Sequence, residues 1–120
     1  MAKARPTLSS FYAATPNFEA GRDTPRAFLE RCLDAVAQFE PEVGAFAHLE
    51  IENAKAAADR SSERWRQGRT LSQVDGMPVG IKDCFDVAGY PTRVNSSLFA
   101  DHPLRLRTPR TSMRYGRGVR

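Results

Sequence analysis

Hydrophobic and polar positions first fall into register at residue 25. Phe28, Cys32 and Val36 recur every four residues, with Leu29, Leu33 and Phe39 widening the stripe, while Arg26, Glu30, Arg31, Asp34 and Gln38 take the other face. That period is the mark of an amphipathic helix. Thr24 supplies an N-cap, and Pro25 sits at the first helical position, where its missing N–H costs nothing. Pro41 disfavours helix at Glu40, so the pattern predicts an end there after about four turns. Residues 1–22 contain Pro6, Pro16 and Gly21 without a sustained period and read as an irregular lead-in.

Gly44 opens a short apolar stretch, residues 45–49, and residues 52–67 then turn rich in Ala, Glu, Lys and Arg. Ala54, Ala58, Ser61 and Trp65 can share one face of a second helix, with Gly68 as its stop. It is less apolar than the first, so it is placed on the outside, anchored by Trp65. Beyond it, Asp75-Gly76 signals a turn, Pro78 stands where a strand begins, and residues 79–87 read as a strand ended by Gly89-Tyr90-Pro91.

One charge interrupts that strand. Alternation puts Val79, Ile81 and Asp83 on one side, and Gly80, Lys82 and Cys84 on the other, so Lys82 has small neighbours and free space beside it. A desolvated lysine offers a neutral amine and can act as a base. On spacing alone, a lysine paired with a buried carboxylate or snorkelling from a strand end fits as well.

The order of residues around Lys82 adds what spacing cannot. Asp75-Gly76-Met77-Pro78-Val79-Gly80-Ile81-Lys82-Asp83, then Phe85-Asp86-Val87-Ala88-Gly89 and Pro91-Thr92, resembles the lysine segment of the amidase signature family. The upstream order of capped helix, apolar stretch and Ala-rich helix is similar too, so the resemblance covers residues 23–102. It implies an α/β fold, the N-terminal portion of a mixed central sheet covered by helices, here incomplete. It also implies hydrolysis of a carboxylic amide C–N bond: a serine attacks, a second serine preceded by a cis peptide relays its proton, and the lysine is the final base. A serine hydroxyl needs such a positioned base to become a nucleophile, and backbone N–H groups hold the oxyanion. Of that triad only Lys82 maps onto this sequence.

The pattern is broken twice. Where the family carries a Thr/Gly/Ser run, this chain has Arg93-Val94-Asn95-Ser96-Ser97, with Asn tolerable at a glycine-like position because it also visits positive φ. Ser96 and Ser97 read as loop residues, since the family's catalytic serines lie farther along in a Gly/Ser-rich segment. From Pro103 the sequence turns to Arg, Pro, Thr and Gly without acids, which resembles a GC-rich gene read out of frame after about residue 102. The expected domains are therefore a lead-in (1–22), the N-terminal part of an amidase domain (23–102) and an aberrant Arg-rich tail (103–120). On this reading the chain alone is inactive and marginally stable, its lysine strand exposing unpaired edges.

Charge and composition remove rival functions. The net charge is +4, but residues 103–120 hold six arginines and no carboxylate, leaving 12 basic and 14 acidic residues in 1–102. A nucleic-acid module built on that tail would bind phosphates without sequence preference, and no fold motif accompanies it, so no specific nucleic-acid partner is expected. No apolar run approaches the ~20 residues of a membrane span, and nothing at the start resembles a secretory signal. Two cysteines, Cys32 and Cys84, are too few for a disulfide framework, and Cys84 reads as a buried small hydrophobe. His48 and His102 lack a third ligand, so neither a metal nor another cofactor is expected. A cytoplasmic protein acting on a small-molecule amide is the leading expectation. The alternatives are a non-catalytic gene remnant and the amidase component of a tRNA-dependent amidotransferase, with glutamine as ammonia donor.

Overall fold

A computed structural model describes residues 9–101, and the Arg-rich tail expected over 103–120 lies outside them. The chain divides into two compact units, one ending at Pro78 and the other starting at Val79.

The described residues of the first unit form three helices. α1 spans Phe11–Glu19, inside the segment expected to be irregular. Ser10 caps it, its hydroxyl accepting from the Ala13 N–H at 3.1 Å. Pro16 lies within the helix and cannot donate to the Tyr12 carbonyl one turn back. The Thr15 hydroxyl donates to that carbonyl instead, at 2.8 Å. Tertiary packing makes the helix worthwhile: Phe11, Ala14 and Phe18 form one buried stripe.

α2 spans Pro25–Val43, with the Thr24 side chain accepting from the Ala27 N–H. It runs three residues past the stop expected at Glu40. Pro41 removes a single intrahelical donor so near the end that little is lost. Gly44, in the left-handed region at φ 59°, closes the helix and donates to Glu40 O at 2.8 Å.

α3 spans Ile51–Arg66, with Glu52 in its first turn and Arg64 and Arg66 in its last, the arrangement the helix dipole favours. Gly68, at φ 65°, follows as the expected stop, its N–H bonding to Trp65 O at 3.1 Å. Far from lying outside, α3 packs on both other helices and puts Trp65 into their shared core. There Phe11 meets Phe28 edge-on at 5.2 Å, and Phe18 meets Trp65 edge-on at 5.5 Å. Cys32 packs against this cluster, and burial pushes its thiol pKa up against the pull of Arg31.

The loop after α3 is pinned by Asp75. Its carbonyl accepts from the Ser61 hydroxyl and the Trp65 indole, both at 2.9 Å. Its carboxylate takes the Arg64 guanidinium in a fork at 2.7 and 2.5 Å and the Leu71 N–H at 3.2 Å. Gly76 follows at φ 89°, where a Cβ would press into Ser61 and come within 2.8 Å of Pro25 Cβ. The turn expected at Asp75-Gly76 is present, and only glycine fits it.

Over its described residues, 79–101, the second unit is built of turns. Phe85 N–H bonds to Lys82 O and Tyr90 N–H to Val87 O, both at 3.1 Å, and a 3-10 turn spans Ser97–Phe99. Among the described residues there is no strand, so the strand expected over 79–87, and with it the central sheet of the α/β fold, is absent here. A strand exists only by exchanging backbone bonds with a neighbour, and the described residues offer it none.

Candidate functional site

The lysine segment begins where the pinned Asp75-Gly76 turn releases the chain. Ile81 and Asp83 are half-buried while Lys82 and Cys84 are exposed, so the two-sided alternation survives from 81 to 84 without a strand. Gly80 stands in open space, a Cβ built on it meeting nothing within 4 Å. Lys82 is not buried. Its side chain stands in solvent, and among the described residues no carboxylate forms an ion pair with it. Cys84 is exposed too, against the expectation of a buried thiol, because it shares the outward side with Lys82.

Asp83 ties residues 93–95 to the lysine segment. Its carboxylate accepts from the Arg93 N–H at 2.9 Å and the Asn95 N–H at 3.4 Å, and its carbonyl accepts from the Val94 N–H at 3.1 Å. The connecting arch is braced by the Thr92 hydroxyl on Phe85 O at 3.4 Å. Asn95 takes the left-handed conformation expected of it, φ 50°, and Val94 shares it at φ 53°. That is uncommon for a β-branched residue. Sequence reasoning had no means of finding Val94, since valine in sequence signals extended chain.

Ser96 uses its hydroxyl to accept from the Leu98 N–H at 3.3 Å, capping the 3-10 turn, and Ser97 begins that turn. Both are loop residues, as expected.

Elsewhere, an open apolar groove of about 580 Å³ runs along α2 and α3, lined by Leu33, Val36, Ala37, Pro41, Leu49 and Ile51. His48 lies 2.7 Å from Glu50. Among the described residues no three metal-ligating side chains come together, and no helix is long and apolar enough to cross a membrane.

Comparison with known proteins matches residues 27–105 to the family described as Amidase. A glutamyl-tRNA(Gln) amidotransferase subunit of Chloroflexus aggregans is 42% identical over 88 residues, which are 73% of this chain and 18% of that protein. The corresponding mitochondrial subunit of Rattus norvegicus is 31% identical over 78 residues, 65% of this chain and 15% of that one. The corresponding Leptospira interrogans protein is 25% identical over 93 residues, 78% of this chain and 19% of the relative. This chain therefore spans under a fifth of the length of these relatives. No solved structure matches it.

Proposed function

This chain belongs to the amidase family, and from that premise we propose that it carries the base of an amide C–N hydrolase, with Lys82 in that role. The observation behind the proposal is the ordered run of residues from Asp75 to Thr92 around Lys82, inside the matched region.

In this reading the substrate is a small carboxylic amide. A serine attacks its carbonyl carbon, the proton passes through the second serine to the neutral Lys82 amine, and the lysine returns it to the nitrogen as the C–N bond breaks; water then cleaves the acyl-serine to release the carboxylic acid. Neither serine is assigned to a residue here. Residues 79–87 become a strand of the family's mixed sheet when neighbouring strands are present, and the same packing buries Lys82. The exposed Phe85 and Leu98, at 50% and 89%, are apolar surface consistent with a unit made to be covered. A cytoplasmic setting goes with this reading.

A second reading is favoured by one observation, the shared identity of the relatives. The chain then belongs to the corresponding subunit of a glutamyl-tRNA(Gln) amidotransferase, its amide being that of glutamine, the ammonia donor, and its partners the other subunits of the complex.

The first test is the DNA past codon 102, translated in the other two frames. A Gly/Ser-rich segment there supports the amidase reading of residues 23–102 and the aberrant origin of 103–120; its absence removes the frameshift account. The second test measures ammonia release by the full-length protein carrying this segment, with simple amides and with glutamine, beside its Lys82→Ala variant. Retention of most turnover by Lys82→Ala would exclude Lys82 as the base. Turnover confined to glutamine and dependent on added partner subunits would favour the second reading.

A further inference from the structure

We propose that Asp83 is a positioning residue for Lys82, tying the 93–95 turn beside the lysine while keeping its own carboxylate engaged away from the lysine nitrogen. The proposal rests on the reading of Lys82 as the base.

Three successive backbone N–H groups converge on this one residue. Arg93 and Asn95 donate to the two carboxylate oxygens, at 2.9 and 3.4 Å, and Val94 between them donates to the carbonyl at 3.1 Å. The convergence needs Val94 and Asn95 in the left-handed region together, at φ 53° and 50°. A non-glycine backbone keeps such a conformation only where its surroundings impose it. The two outer N–H groups, of Arg93 and Asn95, hold the Asp83 carboxylate as backbone N–H groups hold an anion. Without it, those donors would lose their acceptors and the valine its reason to stay.

The consequence for Lys82 is twofold. Its carbonyl is held in the turn to Phe85, and the next residue is tied at both carbonyl and carboxylate, so the backbone is fixed from Lys82 onward. The nearest carboxylate in sequence is also satisfied by neutral donors, and Lys82 makes no ion pair among the described residues. Pairing with a carboxylate stabilises the ammonium form of a lysine, which would oppose its use as a base. Asp83 thus supplies order without supplying a counter-charge.

The test uses Asp83→Ala, which removes the acceptors, and Asp83→Asn, which keeps one oxygen and drops the charge. In the 120-residue chain, Asp83→Ala is expected to speed amide hydrogen exchange at Arg93 and Asn95 by about tenfold or more, the loss of a bond to a charged acceptor. Asp83→Asn should retain part of that protection, and α3 amides should be unchanged, which shows the fold intact. Unchanged exchange at 93 and 95 in Asp83→Ala would overturn the proposal.

A second readout is the pH profile of Lys82 acetylation by acetic anhydride, with Lys55 as internal reference. Asp83→Asn should leave it in place; a displacement of about one pH unit or more would overturn the proposal, because the carboxylate would then act on the lysine's charge directly. In the full-length protein, Asp83→Ala should lower kcat about tenfold with little change in KM, and Asp83→Asn should recover much of it. An unchanged kcat overturns the positioning role. Failure of the base reading looks different: Lys82→Ala keeps its turnover while the exchange result at 93 and 95 stands.

Discussion

Asp75 is held at both its carbonyl and its carboxylate, and the chemistry at each end differs. Its carbonyl joins the Ser61 hydroxyl and Trp65 indole to the loop, while its carboxylate meets the Arg64 fork in a nearly solvent-free position, 4% exposed. Burial pushes the carboxyl pKa up, but the Arg64 guanidinium and the Leu71 N–H outweigh it and hold it below the ordinary carboxylate range. A depressed folded-state pKa gives stability that is present above the unfolded value of about 3.9 and lost as pH falls through the folded one. Asp75→Asn should therefore destabilise the helical unit by about 2–4 kcal/mol at pH 7, since it strands the Arg64 charge in a partly buried site. In urea titrations, the gap to the unaltered chain should narrow below about pH 4; a gap constant with pH would contradict the ionic account. At the neighbouring position, Gly76→Ala combines a positive φ with a collision against Ser61 and Pro25. A loss of about 2–4 kcal/mol is expected in the same titrations.

The helices owe their limits to local chemistry and their existence to packing. α1 contains a proline, has Asn17 in its second half and still forms, because Phe11, Ala14 and Phe18 bury against Phe28 and Trp65. Pro16 is exposed and contributes little to that packing. Replacing it with alanine restores a donor for the Tyr12 carbonyl, so Pro16→Ala should raise stability by about 1 kcal/mol, read as an upward shift in Tm. The gain is smaller than the propensity scale alone suggests, because the unfolded chain also becomes freer. Trp65 has no such slack: it fills the aromatic core and donates to the loop. Trp65→Ala should cost about 3–5 kcal/mol, enough to unfold a marginal three-helix unit, as circular dichroism would show. Ser10 followed by apolar residues at 11, 14 and 18 was the available sequence signal for α1, and Pro16 and Gly21 obscured it.

For the whole molecule, the division at Pro78 places the three described helices in one unit and Lys82 in the other. Lys82 is exposed and unpaired among the described residues, so Lys82→Met should change the Tm of the helical unit by no more than about 1–2 °C. The same substitution should abolish amide turnover in the full-length protein; substantial turnover would contradict the base role. The sequence by itself determined that α2 and α3 form, from their period, the Thr24 cap of α2 and the Gly68 stop of α3, all local features. It also determined the Asp75-Gly76 turn and, through an order of residues spanning most of 75–92, the family. Tertiary structure alone decided that α1 forms, that α3 lies in the core, and that Asp83 gathers the N–H groups of 93–95, because each depends on contacts between residues distant in sequence. Among the described residues it leaves 79–87 without a strand. A helix satisfies its backbone within its own segment, whereas a strand must find its partners elsewhere in the chain, and those described here provide none.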